Sequence, residues 1–192
     1  AGQPAVAVEV AADVDLVEQA FPGGVHEDVE HLGGELVAVG AEGIFGGAYE
    51  GLIFIDHSTI KPETARQVAE ALAAKGVRAL DAPVSGGDIG AQQGTLTIMV
   101  GGDAAALETA RPALEAMGRN ITHIGGPGAG QVAKCCNQIM VAAQMAAMAE
   151  LLIFARKAGV DPQKVVAAIQ GGAAQCWALD NKPAKLFASD RQ

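Results

Sequence analysis

From Gly130 to Lys157 the chain runs for about 28 residues with no proline and no further glycine, built largely from Ala, Met, Leu, Gln and similar helix formers. At 1.5 Å per residue such a tract makes a helix roughly 42 Å long. Typical helices have about 11 residues. A helix of this length directly after an alternating segment reads as a connector between two domains, and the boundary is expected near Gly126.

The segment before it alternates strands and helices. Gly51 to Asp56 (GLIFID) is a short apolar run closed by an aspartate, the pattern of a buried parallel strand. Pro62 suits the first turn of a helix running through Glu70 and Leu72 to about Lys75, with Gly76 as its stop. Val77 to Asp81 and Leu96 to Val100 repeat the strand signature. Asp103 can cap a helix that the interior Pro112 should kink or split and Gly118 should end. Ile121 to Ile124 is a further short strand. This alternation predicts the α/β class, a doubly wound sheet with right-handed crossovers. After the long helix, Gly159 and Asp161-Pro162 mark a restart and Gly171-Gly172 a stop, so the second domain begins helical. The expected division is 1–125 and 126–192. In the first fifty residues only a Val14 to Val17 strand and a turn at Phe21-Pro22-Gly23-Gly24 can be read.

Composition narrows the function classes. Half the residues are hydrophobic and aromatics make up 4%, which suits packed helices and glycine turns better than a β-sandwich. A net charge of -9, from 22 acidic and 13 basic residues, repels phosphate backbones, so nucleic acid is not an expected partner. Apolar stretches are interrupted by Gly, Asp or Lys before about 20 residues, and the N-terminus lacks a basic, apolar leader. A soluble, cytoplasmic protein with no membrane partner is expected. Cys135 and Cys136 are adjacent and Cys176 makes the count odd, so all three read as reduced packing residues. His26, His31, His57 and His123 have no ligand spacing, and no metal is expected.

Two stretches carry chemistry. Asp81 to Gly94 (DAPVSGGDIGAQQG) places a serine and two glycines at a strand end, where open α/β sheets bind ligands. Ser85, Gly86 and Gly87 can cradle a carboxylate, although a plain tight turn has the same composition. Gly125 to Asn137 (GGPGAGQVAKCCN) opens the long helix with Lys134 and Asn137 three residues apart on one face, and Gln138 beside them. A lysine in an apolar connector needs a partner or a purpose, and desolvation would lower its pKa and suit it to proton transfer. Gly126-x-Gly128-x-Gly130 lacks the G-x-G-x-x-G spacing of a dinucleotide fingerprint and reads instead as a hinge that delivers Lys134 to a cleft.

Asp81 to Gly102 (DAPVSGG…GA…GTL…MVGG), followed by G-x-G-x-G-Q-x-x-K-x-x-N from Gly126 to Asn137, resembles the paired signature of the β-hydroxyacid dehydrogenases of the 3-hydroxyisobutyrate dehydrogenase and tartronate semialdehyde reductase type. The likeness runs from about Asp13 to Gln192 and includes Asp56-His57-Ser58-Thr59 and Trp177 to Asn181. It implies a partial Rossmann-like domain and the start of an all-α domain. It implies hydride transfer between NAD or NADP and a small 3-hydroxy acid or its semialdehyde. In that reading Lys134 is catalytic, Asn137 orients the substrate, Ser85, Gly86 and Gly87 hold its carboxylate, and Thr59 with Phe21 and Pro22 lines the nicotinamide side.

The family's opening G-x-G-x-x-G and its second lysine motif are not in this sequence, which therefore reads as truncated at both ends. Reduction of glyoxylate or succinic semialdehyde on the same fold, or a non-catalytic assembly module, are the alternatives. A homo-oligomer is expected, because a helical domain of about three elements cannot bury its own apolar faces.

Overall fold

The computed structural model describes residues 6–9 and 44–189, so the expected Val14 to Val17 strand and the turn at Phe21 lie outside the described residues. The chain divides into two compact units, Ala1–Cys135 and Cys136–Gln192.

The first unit is a mixed sheet clothed by helices. Strands β1 (Val6–Glu9), β2 (Ile53–Asp56) and β3 (Arg78–Asp81) run parallel, with Ile53 opposite both Val6 and Arg78. Helix α1 (Ile44–Gly47) precedes β2, and α2 (Pro62–Ala73) joins β2 to β3 with Pro62 in its first turn and Gly76 beyond its end at φ +72°. β1 has no counterpart in the sequence reading.

Alternation along β2 divides the core. Ile53 and Ile55 are fully buried and pack with Leu80, Ile98, Val100, Leu107 and Leu114, while Phe54 packs with Val68, Leu72 and Val77 on the opposite side. Each such side chain removed from water stabilises the fold by about 1.5–3 kcal/mol before the entropy of ordering is counted. Leu107 and Leu114 come from α4 (Ala104–Glu115) and Val68 and Leu72 from α2, so the sheet lies between these two helices.

Beyond β3 the strand direction departs from the parallel expectation. β5 (Leu96–Gly102) runs antiparallel to β3, with Leu80 opposite Gly102, and antiparallel to β4 (Val84–Ser85), with Val84 opposite Ile98. Between Ser85 and Leu96 there is only α3 (Gly87–Gln93, seven residues) and its flanks, which is shorter than the dozen or more residues a parallel crossover requires. A hairpin-like return is the geometry left. β3 and β4 thus form one interrupted edge along β5, and β6 (Gly118–Gly125) pairs parallel on its other side. β6 begins and ends beyond the expected Ile121 to Ile124.

Asp103 caps α4 as expected, its carboxylate accepting the Ala106 N–H at 2.7 Å. Pro112, however, sits inside an unbroken helix. Both Pro112 and Glu108, whose carbonyl would have taken the missing N–H, are on the exposed face, where water can serve that oxygen.

Helix α5 (Ala129–Lys157, 29 residues) realises the long tract. The expectation that no stretch is long and apolar enough to span a bilayer is overturned: by length and composition α5 is, with a mean hydropathy of 1.6 over its best window. Isolated polar residues do not lower a window average enough to disqualify it. Its first turns are nevertheless seated in the sheet unit, where Gln131 is fully buried. Cys135 and Cys136 are exposed on α5 rather than packed, and only Cys176 lies against a core.

The second unit continues α5 and adds α6 (Pro162–Ile169), α7 (Trp177–Asn181) and α8 (Pro183–Ser189). Asp161 caps α6 through the Gln163 N–H, and the chain turns after it at Gly171, φ +82°. Met148, Val166, Ala178 and Leu179 are its buried centre.

Candidate active site

Lys134 lies one turn into α5 within the first unit and is half-buried. Its Nζ donates to the Val84 carbonyl at 2.7 Å, which places the amine beside the strand end that carries Ser85. Burial alone pulls its pKa below the ordinary lysine value. After Ser85 the backbone turns through Gly86 at φ +139° and Gly87 at φ +64°, conformations that L side chains rarely adopt. The two glycines are therefore required by the turn, and both are exposed.

The anchor of α5 explains why Lys134 sits where it does. Asp81, at the end of β3, is 6% exposed. Its carboxylate accepts the Gly128 N–H at 2.7 Å and the Gln131 N–H at 3.0 Å, so a residue from the sheet caps the start of the helix. Burial raises the Asp81 pKa, against the lowering effect of those backbone donors. The helix approaches so closely that a Cβ on Gly130 would lie 2.5 Å from the Asp81 carbonyl oxygen and nearer still to that of Met99. A Cβ on Gly101 would meet the same carboxylate and the Gly130 nitrogen at 2.7 Å. Gly128 and Gly130 of this loop are thus held by close packing, whereas a Cβ on Gly126 would meet nothing within 4 Å.

Gln131 extends the anchor to the loop after β2. Its Nε2 donates to the Ser58 carbonyl at 2.8 Å and its Oε1 accepts the Ile60 N–H at 3.1 Å. Thr59, between those two residues, is exposed. Beside it, His57 is buried with its Nδ1 against the Ala82 carbonyl at 2.7 Å, and His57 Nε2 and Ser58 Oγ are buried with no hydrogen-bond partner among the described residues. Burial lowers the His57 pKa, opposed by that hydrogen bond and by the charge of Asp56. These two buried polar atoms lie beside an exposed threonine at the C-terminal end of a parallel strand, where open α/β sheets bind ligands.

Within the first unit the start of α5 is hydrogen-bonded to both candidate elements: Lys134 to Val84, which precedes Ser85, Gly86 and Gly87, and Gln131 to Ser58 and Ile60 on either side of Thr59. Asn137 belongs to the second unit, where its Nδ2 donates to Gln138 Oε1 at 2.9 Å. Phe21 and Pro22 lie outside the described residues. An open groove of about 370 Å³, bordered by Ala69, Ala73, Arg78, Gly102 and Pro127, involves none of the expected site residues. Sequence reasoning quoted Asp81 and Gln131 within motifs but assigned them no role. Only an acid at a strand end and a glutamine three residues before a lysine were available as signals. Among the described residues no group of three potential metal ligands occurs.

Residues 29–125 match the model of the NAD binding domain of 6-phosphogluconate dehydrogenase. Residues 128–192 match that of the NAD-binding domain of NADP-dependent 3-hydroxyisobutyrate dehydrogenase. The chain is 44% identical to 3-hydroxyisobutyrate dehydrogenase of Pseudomonas aeruginosa over 91% of its own length and 56% of the relative's. It is 45% identical to 2-hydroxy-3-oxopropionate reductase of Escherichia coli, over 76% and 50%. A solved 3-hydroxyisobutyrate dehydrogenase of Mycobacterium tuberculosis with L-serine superposes at a TM-score of 0.66 with 44% identity, over 71% of this chain and 47% of that one. The chain spans about half the length of the curated relatives it matches.

Proposed function

Because this chain belongs to the β-hydroxyacid dehydrogenase family, we propose that its full protein is an oxidoreductase acting on a small 3-hydroxy acid or its semialdehyde with NAD or NADP. The observation that carries this reading is the half-buried Lys134 amine held 2.7 Å from the Val84 carbonyl, next to Ser85. A neutral amine can donate one N–H to Val84 and keep its lone pair for the substrate hydroxyl proton. Burial supports that state by lowering the lysine pKa.

In oxidation Lys134 takes the hydroxyl proton as the carbinol carbon loses hydride, and in reduction it returns the proton to the forming alkoxide. The nicotinamide, when bound, supplies the acceptor or donor of that hydride. Ser85, Gly86 and Gly87 bind the substrate carboxylate through the hydroxyl and the backbone N–H groups. Asn137, one turn after Lys134 on the same helix, orients the hydroxyl and supports charge developing on its oxygen, an effect worth a few kcal/mol in a site poor in water. Thr59, with Phe21 and Pro22, flanks the nicotinamide. The relatives that act on 3-hydroxyisobutyrate and on 2-hydroxy-3-oxopropionate support a substrate with a carboxylate and an oxygen on the third carbon.

Exposed Ile139, Met140 and Phe154 on α5, at 68%, 60% and 76%, support a homo-oligomer, to be tested by equilibrium sedimentation. The division into a nucleotide-binding domain and a helical domain near Gly126, and action in the cytoplasm, complete the reading.

The deciding experiment is Lys134→Ala in the full-length protein, followed by absorbance of the reduced nicotinamide. The expected result is a fall in turnover of about 100-fold or more with the thermal transition retained. Undiminished turnover would remove Lys134 from the mechanism.

A further inference from the structure

Gln131 is fully buried, so its amide needs hydrogen-bond partners. Both ends of it are used on one short loop: the N–H₂ on Ser58 and the oxygen on Ile60. Its own backbone N–H is used on Asp81, 50 residues earlier, and Lys134 follows one turn later on the same helix. The loop residue enclosed by this bracket is Thr59. We propose that Gln131 is a positioning residue, a bracket that holds the Ser58 to Ile60 loop against the first turn of α5 and so fixes Thr59 relative to the Lys134 amine.

This rests on the proposed hydride transfer and deepens it. Proton transfer and hydride transfer occur on one carbon and must be aligned together, and a misplacement of about 1 Å can cost about 100-fold in rate. A side chain that ties the proton-transfer helix directly to the cofactor-side loop controls that alignment without touching the substrate. Asp81 fixes the helix to the sheet, and Gln131 fixes the loop to the helix.

The test uses the full-length protein with Gln131→Met, which keeps the length of the side chain and removes both amide bonds. Gln131→Glu keeps the acceptor for Ile60 and, when ionised, sets an oxygen against the Ser58 carbonyl. Leu114→Ala serves as a destabilised core control whose side chain makes none of the bracket's hydrogen bonds. For Gln131→Met, kcat should fall by up to about 100-fold and KM for the cofactor should rise several-fold. The pH profile of kcat/KM should move toward an ordinary lysine as Lys134 gains solvent. Gln131→Glu should approach the parent on the acid side and fall away on the alkaline side.

A second readout does not need activity: the titration of Lys134 followed by ¹³C NMR of the reductively methylated protein should shift upward in Gln131→Met and stay in place in Leu114→Ala. A parent protein without hydride transfer would sink the functional proposal and leave this titration to decide the bracket. If Gln131→Met fails to fold, the pH dependence of Gln131→Glu carries the same decision. An unmoved Lys134 titration with parental kcat, or an equal change in Leu114→Ala, overturns the inference.

Discussion

Gly130→Ala and Gly126→Ala, four residues apart in one glycine-rich loop, should behave oppositely. Gly130 is the second residue of α5, so helix propensity alone would make the alanine favourable by about 1 kcal/mol. The structure predicts the reverse. The new Cβ would lie 2.5 Å from the Asp81 carbonyl oxygen and even nearer that of Met99, both of them backbone atoms that cannot rotate away. Restoring ordinary contact at about 3.5 Å requires a shift of about 1 Å. That shift would carry the Gly128 and Gln131 N–H groups, now 2.7 and 3.0 Å from the Asp81 carboxylate, past hydrogen-bonding range.

Overpacking costs about 1–3 kcal/mol and weakened charge-assisted caps add about 1–2 kcal/mol, together about 2–5 kcal/mol. At about 2–4 °C per kcal/mol for a protein of this size, Tm should fall by roughly 4–20 °C. At Gly126 a Cβ meets nothing within 4 Å and φ is not positive. That substitution should stay within about 0.5 kcal/mol. Thermal unfolding followed by circular dichroism compares the two. Equal effects, or a Gly130→Ala protein as stable as the parent, would refute the argument from close packing and return the loop to the hinge reading.

Three further outcomes are expected. Oxidation of the hydroxy acid needs neutral Lys134, so its rate should climb with pH through a value below that of ordinary lysine, while reduction should fall through the same value; profiles with an unshifted lysine would exclude a buried base. Asp81 has a raised folded-state pKa, so it binds protons more readily folded than unfolded. Its contribution to stability should decline as pH rises from the ordinary carboxylate value through the raised one and then level off. That descent should be missing in Asp81→Asn, and parallel pH–stability curves for the two proteins would contradict it. Asp103→Ala should lose the cap on Ala106 and about 1 kcal/mol of stability in urea titrations; no loss would mean water replaces the carboxylate without cost.

The local elements were legible because their causes are local. Pro62 and Gly76 bound α2, Asp103 and Asp161 cap their helices, and the tract after Gly130 is helical throughout. The site was half legible. Lys134 in an apolar setting announced itself, and Ser85, Gly86 and Gly87 stood at a strand end. β1 was missed because the apolar run from Val6 is short and ends in a glutamate.

What the sequence by itself determined is the order of elements, the family to which they belong, and the residue types offered to the chemistry. These follow from periodicity, caps and motif spacing within a few residues of one another. Only the tertiary structure decided that β5 runs against β3, that Gly130 serves contact rather than freedom, and that Asp81 and Gln131 seat the Lys134 helix. The seating of that helix depends on hydrogen bonds between residues 47 to 73 positions apart, and the β3–β5 pairing joins residues 20 to 22 apart. No local preference encodes such pairings, because each exists only once the sheet has set the distance between its partners.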